Sequence, residues 1–126
     1  MGTRISAILS QWDKAEEDIK LAEQVCNKVV WPSIKELRYA GRRVVDALHA
    51  IYSGLSDESI NNFLQDAEFD CHRARHDAID AATATIAIHL EAAADRIGYD
   101  AILSGFPQFP TLRKKLRIVR DKIKQS

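Results

Sequence analysis

The amino-acid sequence predicts an all-α protein, an antiparallel helical bundle with long helices, and three observations support this prediction. Apolar residues recur at alternating spacings of three and four along most of the 126 residues, as in helices that bury one side. No segment shows the sustained period of two that a half-buried strand requires. The three prolines and three of the five glycines fall between the periodic runs. We interpret residues 1–126 as a single domain.

Composition and charge are those of a globular protein without a charge excess. Hydrophobic residues make up 46% and charged residues 29% of the chain, and eighteen basic side chains balance eighteen acidic ones. This balance disfavours a protein whose main task is to hold nucleic acid. The start of the sequence has no signal-peptide pattern, and no apolar run approaches the roughly 20 residues that span a bilayer. We therefore expect a cytoplasmic protein of bacterial type without a membrane partner.

The first predicted helix is followed by a second that resumes after Pro32. The apolar seam of the first helix consists of Ile5, Ile8, Trp12, Ala15, Ile19, Ala22, Cys26 and Val29. The predicted seam of the second helix consists of Ile34, Leu37, Gly41, Val44, Leu48 and Ile51. Because no obvious loop residues separate Val30 from Ser33, we expect one helix kinked at Pro32, or a very tight break there, rather than a hairpin. Gly54 ends the second helix, since glycine accepts the left-handed conformation of a C-cap.

The third predicted helix is unusually long. Ser56 is its predicted N-cap with Ser59 three residues later, and neither proline nor glycine occurs between Asp57 and Ile97. The seam of its first half consists of Ile60, Leu64, Ala67, Cys71, Ala74, Ala78 and Ala81. About 40 helical residues span roughly 60 Å, more than one chain of this size can cover. Either the helices break more often, as in a monomeric four-helix bundle, or a second copy lies alongside. We expect a homodimer to complete the bundle. A last helix is predicted to follow Pro110, with Thr111 as its cap.

Polar and charged residues concentrate halfway along the hairpin that the second and third helices form. If these helices run antiparallel, the numbers of facing residues sum to about 110. This register brings together a belt of six candidate ligand-binding residues: Arg38, Tyr39, Arg42, His72, Arg73 and His76. Two interpretations stay open. The arginines form salt bridges with nearby acids such as Asp70 and Asp77, or they bind a carboxylate or phosphate through paired hydrogen bonds.

A metal site is a further hypothesis for the third helix. His72 and His76 stand four residues apart, so that they can share a metal ion, and Glu68 or Asp80 lies one turn away as a third ligand. Residues four apart are rotated by about 40° around the helix axis. The side chains of Glu68, His72, His76 and Asp80 therefore cannot all reach one ion. We therefore assign no metal and no cofactor. The sequence also contains no recognisable nucleophile arrangement or phosphate-binding loop, and we predict no catalytic residues.

The segment RRVVDALH, residues 42–49, suggests one enzymatic alternative. Arg42 and His49 are seven residues apart and therefore share a helix face. Here the sequence resembles the HEPN family of small helical-bundle domains, whose nucleases carry an arginine followed four to six residues later by a histidine, usually across a dimer interface. The resemblance implies metal-independent RNA cleavage in which His49 moves a proton and Arg42 or Arg43 stabilises phosphate charge.

The sequence favours association without catalysis as the function. Long seams, an alanine-rich stretch from Ala81 to Ala94 and the lack of a complete catalytic set indicate a non-enzymatic helical-bundle protein. We expect it to self-associate as a homodimer and to bind an unidentified partner or a small anionic ligand through the belt. The HEPN-like ribonuclease and a metal-binding bundle using His72 and His76 are the two alternatives.

Overall fold

The computed structural model describes residues 2–125, with side chains as far as Lys122, and within that range it contains helices and no strand. The five helices are α1 (Gly2–Cys26), α2 (Trp31–Tyr52), α3 (Asp57–Ile97), α4 (Tyr99–Gly105) and α5 (Phe109–Gln125). The predicted all-α class is confirmed, and so is the long third helix, since α3 has 41 residues. The chain divides into two compact units, Met1–Ile79 (unit 1) and Asp80–Ser126 (unit 2), and α3 contributes residues to both.

In unit 1, α2 runs antiparallel to both α1 and α3. Trp12 of α1 lies beside Gly41 of α2, where a Cβ added to the glycine would be 3.6 Å from the indole ring. The hydroxyl of Ser33 on α2 donates a hydrogen bond to the carbonyl oxygen of Ala74 on α3, at 2.9 Å. The pairing of Ser33 with Ala74 is close to the predicted register. The predicted antiparallel hairpin of α2 and α3 is therefore confirmed.

Polar contacts show that α1 and α3 run parallel to each other. Arg4, near the start of α1, pairs with Glu68 at 3.5 Å. Two turns further along α3, the guanidinium of Arg75 donates to Asp18 and to Gln11 of α1, each at 2.9 Å. Residue numbers therefore increase in the same direction along both helices, and unit 1 is an up-down-up three-helix bundle.

Small side chains make up most of the core of unit 1. Its buried residues are Ile8, Ala15, Ile19 and Ala22 of α1, Ser33, Ala40, Ala47 and Ala50 of α2, and Ile60, Leu64, Ala67, Cys71, Ala74 and Ala78 of α3. Alanine and serine at intervals of seven let neighbouring helices approach closely, because no long side chain separates the backbones. The predicted seam of α3 is confirmed from Ile60 to Ala78.

The seam predicted for α2 is confirmed only in part: Val44 packs against the core and Gly41 lies beside Trp12, but the most buried side of the helix is a different one. Ser33, Ala40 and Ala47 face the core, whereas Leu48 is 60% exposed and Ile51 is nearly half exposed. The stripe of small residues runs beside the stripe of large apolar residues with almost the same helical period, so periodicity did not distinguish them. Burying the small stripe allows the closer contact with α1 and α3, and the larger side chains remain at the flanks or outside.

The expected kink at Pro32 is not shown, and the structure has two separate helices there. α1 ends at Cys26, Asn27 adopts a left-handed conformation with φ of 54°, and α2 begins at Trp31. Asparagine tolerates this C-cap conformation better than most residues. Pro32 lies in the first turn of α2, where its missing N–H has no helical partner to lose. Residues 27–30 therefore reverse the chain, which corrects the expectation of a kinked helix.

The turn between α2 and α3 agrees with its sequence pattern. Gly54 has a φ of 70°, and the N–H of Leu55 donates to the carbonyl of Ala50 at 2.9 Å, as in a glycine-capped helix end. The Oγ of Ser56 accepts the backbone N–H of Ser59 at 3.2 Å. The predicted N-cap of α3 is therefore confirmed.

Unit 2 consists of the last part of α3 together with α4 and α5. Gly98, with a φ of 98°, separates α3 from α4. Phe109 is buried, and its ring meets that of Tyr99 edge-on, with 6.3 Å between centroids. α5 begins at Phe109 rather than after the predicted cap Thr111, because Pro110 is compatible with the first turn of a helix.

Enlarging a core alanine should destabilise the protein more than enlarging an exposed one on the same helix. We expect Ala74→Leu to lower the free energy of unfolding by about 1–3 kcal/mol, because the buried site has no room for the added carbons. Ala92→Leu, at an exposed position of α3, should change it by less than about 0.5 kcal/mol. Urea denaturation followed by circular dichroism measures both, and equal effects would contradict close packing at Ala74.

Candidate functional site

Two of the belt arginines already have acidic partners. The guanidinium of Arg73 lies 3.3 Å from the carboxylate of Glu36 across the α2–α3 interface, and its Cζ lies 5.8 Å from the ring centroid of Phe69. Arg42 pairs with Asp46 one turn along α2, at 2.9 Å. Such partly exposed pairs contribute at most about 1 kcal/mol each to stability. For Arg42 and Arg73, the geometry thus favours the salt-bridge interpretation of the belt.

The other four belt residues are exposed; Arg38 and Tyr39 share an open pocket with Glu36, the partner of Arg73, whereas the two histidines do not line it. Tyr39 has the ammonium of Lys35 5.9 Å from its ring centroid, and Arg38 borders a groove between α1 and α2. His72 and His76 lie on the exposed surface of α3. The belt is therefore a surface band on two helices.

The structure lends no support to the metal hypothesis. Across residues 2–125, no group of three or more histidine, cysteine, aspartate or glutamate side chains is arranged to hold a metal ion. Glu68, one of the two carboxylates considered as a third ligand, is paired with Arg4 instead.

The arginines of the HEPN-like segment also face acids. Arg42 is held by Asp46, and Arg43 lies close enough to Asp70 to influence its ionisation. Desolvation by burial raises the pKa of Asp70 above its ordinary value, and the charge of Arg43 only partly offsets this rise. His49 is exposed on the same helix face as Arg42.

An apolar surface that the sequence analysis did not single out lies on α1 and α2. Its members, which we call the apolar α1–α2 face, are Ile5, Leu9, Val45, Leu48 and Tyr52. Leu9 is 62% exposed, Leu48 60% and Tyr52 94%. Spacings of three and four place each set on one side of its helix, and the antiparallel register set by Trp12 and Gly41 brings Ile5 level with Leu48. The face was missed because Ile5 and Leu48 were assigned to the core.

A groove of about 360 Å³ lies further along the same two helices. Its apolar lining comprises Ile19, Ile34 and Leu37, with Trp12 at one end. Its charged residues come from both helices and have both signs: Glu16, Lys20, Glu23 and Arg38. The groove and the apolar α1–α2 face therefore form one side of unit 1, apolar at one end and bordered by mixed charges at the other.

Comparisons with known proteins do not assign this surface a role. No protein-family model matches the chain, and no curated protein or solved structure is significantly similar to it. Among residues 2–125, none of the helices is both long enough and apolar enough to cross a membrane. Functional inference must therefore come from the surfaces themselves.

One reactive group is enclosed by the same packing. Cys71 is completely buried in the core of α3, and burial raises the pKa of its thiol to about 11, with the negative charges of Asp70 and Glu68 acting in the same direction. A thiol with so high a pKa is a poor nucleophile at neutral pH. Cys71 is thus a packing residue of unit 1.

Its raised pKa predicts a loss of stability at high pH. Between about pH 9 and 11 the unfolded chain releases the Cys71 proton while the folded chain retains it. The contribution of this thiol to the free energy of unfolding therefore falls as the pH rises. We expect the stability difference between the wild type and Cys71→Ala to shrink from pH 8 to pH 10. Urea denaturation at both pH values measures it, with Cys26→Ala as the control; an unchanged difference would contradict the raised pKa.

Proposed function

We propose that the protein is a non-enzymatic helical-bundle protein that acts by association, first with a second copy of itself through the apolar α1–α2 face. The observation that carries this proposal is the exposure of five large apolar side chains on adjacent turns of two neighbouring helices. Single exposed apolar residues are common on protein surfaces, whereas a contiguous apolar patch indicates an interaction surface.

The size of this side of unit 1 suits a dimer. α1 and α2 have 25 and 22 residues, so two helices side by side offer about 35 by 20 Å, on the order of 700 Å². A stable protein–protein interface buries about 800 Å² on each partner. The apolar face and the groove together therefore approach the area that one copy must contribute.

Charge supports a second copy as the occupant. Under two-fold symmetry the same patch meets itself, so the acids Glu16 and Glu23 beside the groove can face Lys20 and Arg38 of the other copy. The chain has no formal net charge, so two copies do not repel each other at long range.

A further partner or small anion would bind outside this interface. Arg42 and Arg73 are occupied by Asp46 and Glu36, which weakens the belt as an anion site. Tyr39, His72 and His76 are exposed and do not line the groove, so they are the belt residues that best support binding of such a partner.

Matched leucine substitutions test the proposed interface. We expect the wild type to have a mass of about 28 kDa by light scattering after size exclusion, twice the 14.2 kDa of one chain. Leu9→Glu should shift it towards one chain, because the glutamate would be desolvated in the interface. Leu21→Glu, on the same helix and 59% exposed, should leave the mass unchanged. A monomeric wild type, or equal effects of both substitutions, would contradict the proposal.

The HEPN-like ribonuclease is retained as a second candidate because His49 and Arg42 are exposed beside Val45 and Leu48 of the proposed interface. Self-association there would place both residues at the edge of a dimer, the setting that the resemblance implies. Incubation with single-stranded RNA in EDTA tests the candidate. The candidate requires that the wild type cleaves the RNA and that His49→Ala reduces the rate at least about a hundredfold. A hundredfold is the lower end of what general acid–base catalysis contributes. Cleavage unaffected by that substitution would exclude it.

A further inference from the structure

α5 and the last part of α3 border a half-open cavity of about 300 Å³ within unit 2. It is lined by three apolar side chains and by three arginines that follow one another along α5 at spacings of four and three: Ala87, Leu90 and Leu116, then Arg113, Arg117 and Arg120. This spacing places the guanidinium groups on one side of α5. The cavity thus combines an apolar lining with a cluster of positive charge.

The three arginines of the cavity differ in whether they already have an acidic partner. Arg113 is paired with Glu91 through two contacts to the carboxylate. The Nε of Arg120 is buried and has no hydrogen-bond partner among the described residues, and Arg117 lies exposed at the margin. Asp121 is the second carboxylate of the lining. α5 carries seven basic residues and one acidic residue. The surroundings of the cavity therefore keep a net positive charge when the carboxylates of Glu91 and Asp121 are included.

We infer that this cavity binds the phosphate group of a small organic phosphate. A buried guanidinium nitrogen without an acceptor favours a ligand that supplies one. Arg117 and Arg120 approach from successive turns, and a tetrahedral phosphate can accept from both, whereas a planar carboxylate is satisfied by one guanidinium fork.

The rest of the cavity indicates the body of this ligand. Ala87, Leu90 and Leu116 offer an apolar surface that suits a flat or hydrocarbon group attached to the phosphate. A volume of about 300 Å³ is at the lower end of small-molecule sites, so the cavity fits a phosphate monoester better than an extended polyanion. Every residue of this site lies in unit 2, so the inference does not rest on self-association through α1 and α2.

Binding of phenyl phosphate to the full chain tests the inference. We expect saturable binding with one ligand per chain by isothermal titration calorimetry, and no binding of phenol, which lacks the charge. Inorganic phosphate should bind more weakly than phenyl phosphate, because it leaves the apolar lining uncovered. Absence of saturable binding of phenyl phosphate at millimolar concentration would overturn the inference, and equal affinity for inorganic phosphate would overturn its apolar part.

Charge-matched variants separate the cavity from the general basicity of α5. Arg120→Gln and, as a second variant at an exposed position, Arg117→Gln should each weaken binding of phenyl phosphate at least about tenfold. Lys115→Gln removes the same charge from an exposed position about 200° around α5 from Arg117, and should change the affinity less than about twofold. Equal weakening by all three variants would show non-specific attraction to a basic helix and would overturn the assignment.

Discussion

Alanine, serine and cysteine side chains fill most of the interior of unit 1, and the three helices can approach closely only because these side chains are short. Ala40, Ala47 and Ala74 contribute little apolar area each, so each contact that they make yields less hydrophobic stabilisation than a leucine contact would. Close approach compensates through many short-range contacts between backbone and side chain. It also leaves Leu48 and Tyr52 of α2 outside the interior.

This exclusion connects the packing of unit 1 to its surface. Leu48 and Tyr52 lie outside because the stripe of small residues occupies the position that a core-facing seam would take. Leu9 lies exposed on α1 next to the same part of α2, so exposed apolar side chains of the two helices adjoin each other there. A bundle with a small-residue core and a large-residue exterior gains further hydrophobic free energy when another surface covers that exterior. The proposed self-association follows from this reasoning about how the helices pack.

The sequence predicted the fold best where only one apolar stripe exists. On α3, a single run from Ile60 to Ala78 has helical spacing, and the whole of it is buried as predicted. On α2, small and large stripes run side by side, and periodicity alone does not show which one faces the core. The break before Pro32 depended on Asn27 adopting a left-handed conformation, which a single sequence permits without requiring.

The candidate sites were less predictable because ionisable residue types do not specify their partners. The facing of α2 and α3 was correctly predicted, but whether Arg73 meets Glu36 or an exogenous anion depends on side-chain geometry. The sequence alone shows the arginines of α5 only as part of a helix rich in basic residues. Its significance comes from the enclosed Nε of Arg120 and the apolar side chains of α3, which packing alone brings together.

The measurement that tests the account most directly is an isotope-filtered nuclear Overhauser experiment on a mixture of labelled and unlabelled chains. The account predicts contacts between copies that involve the methyl groups of Leu9, Val45 and Leu48 and the ring of Tyr52. Their presence would show that the side chains excluded from the small-residue core form the interface. Contacts between copies confined to other helices, or none at millimolar protein concentration, would contradict self-association through the apolar α1–α2 face.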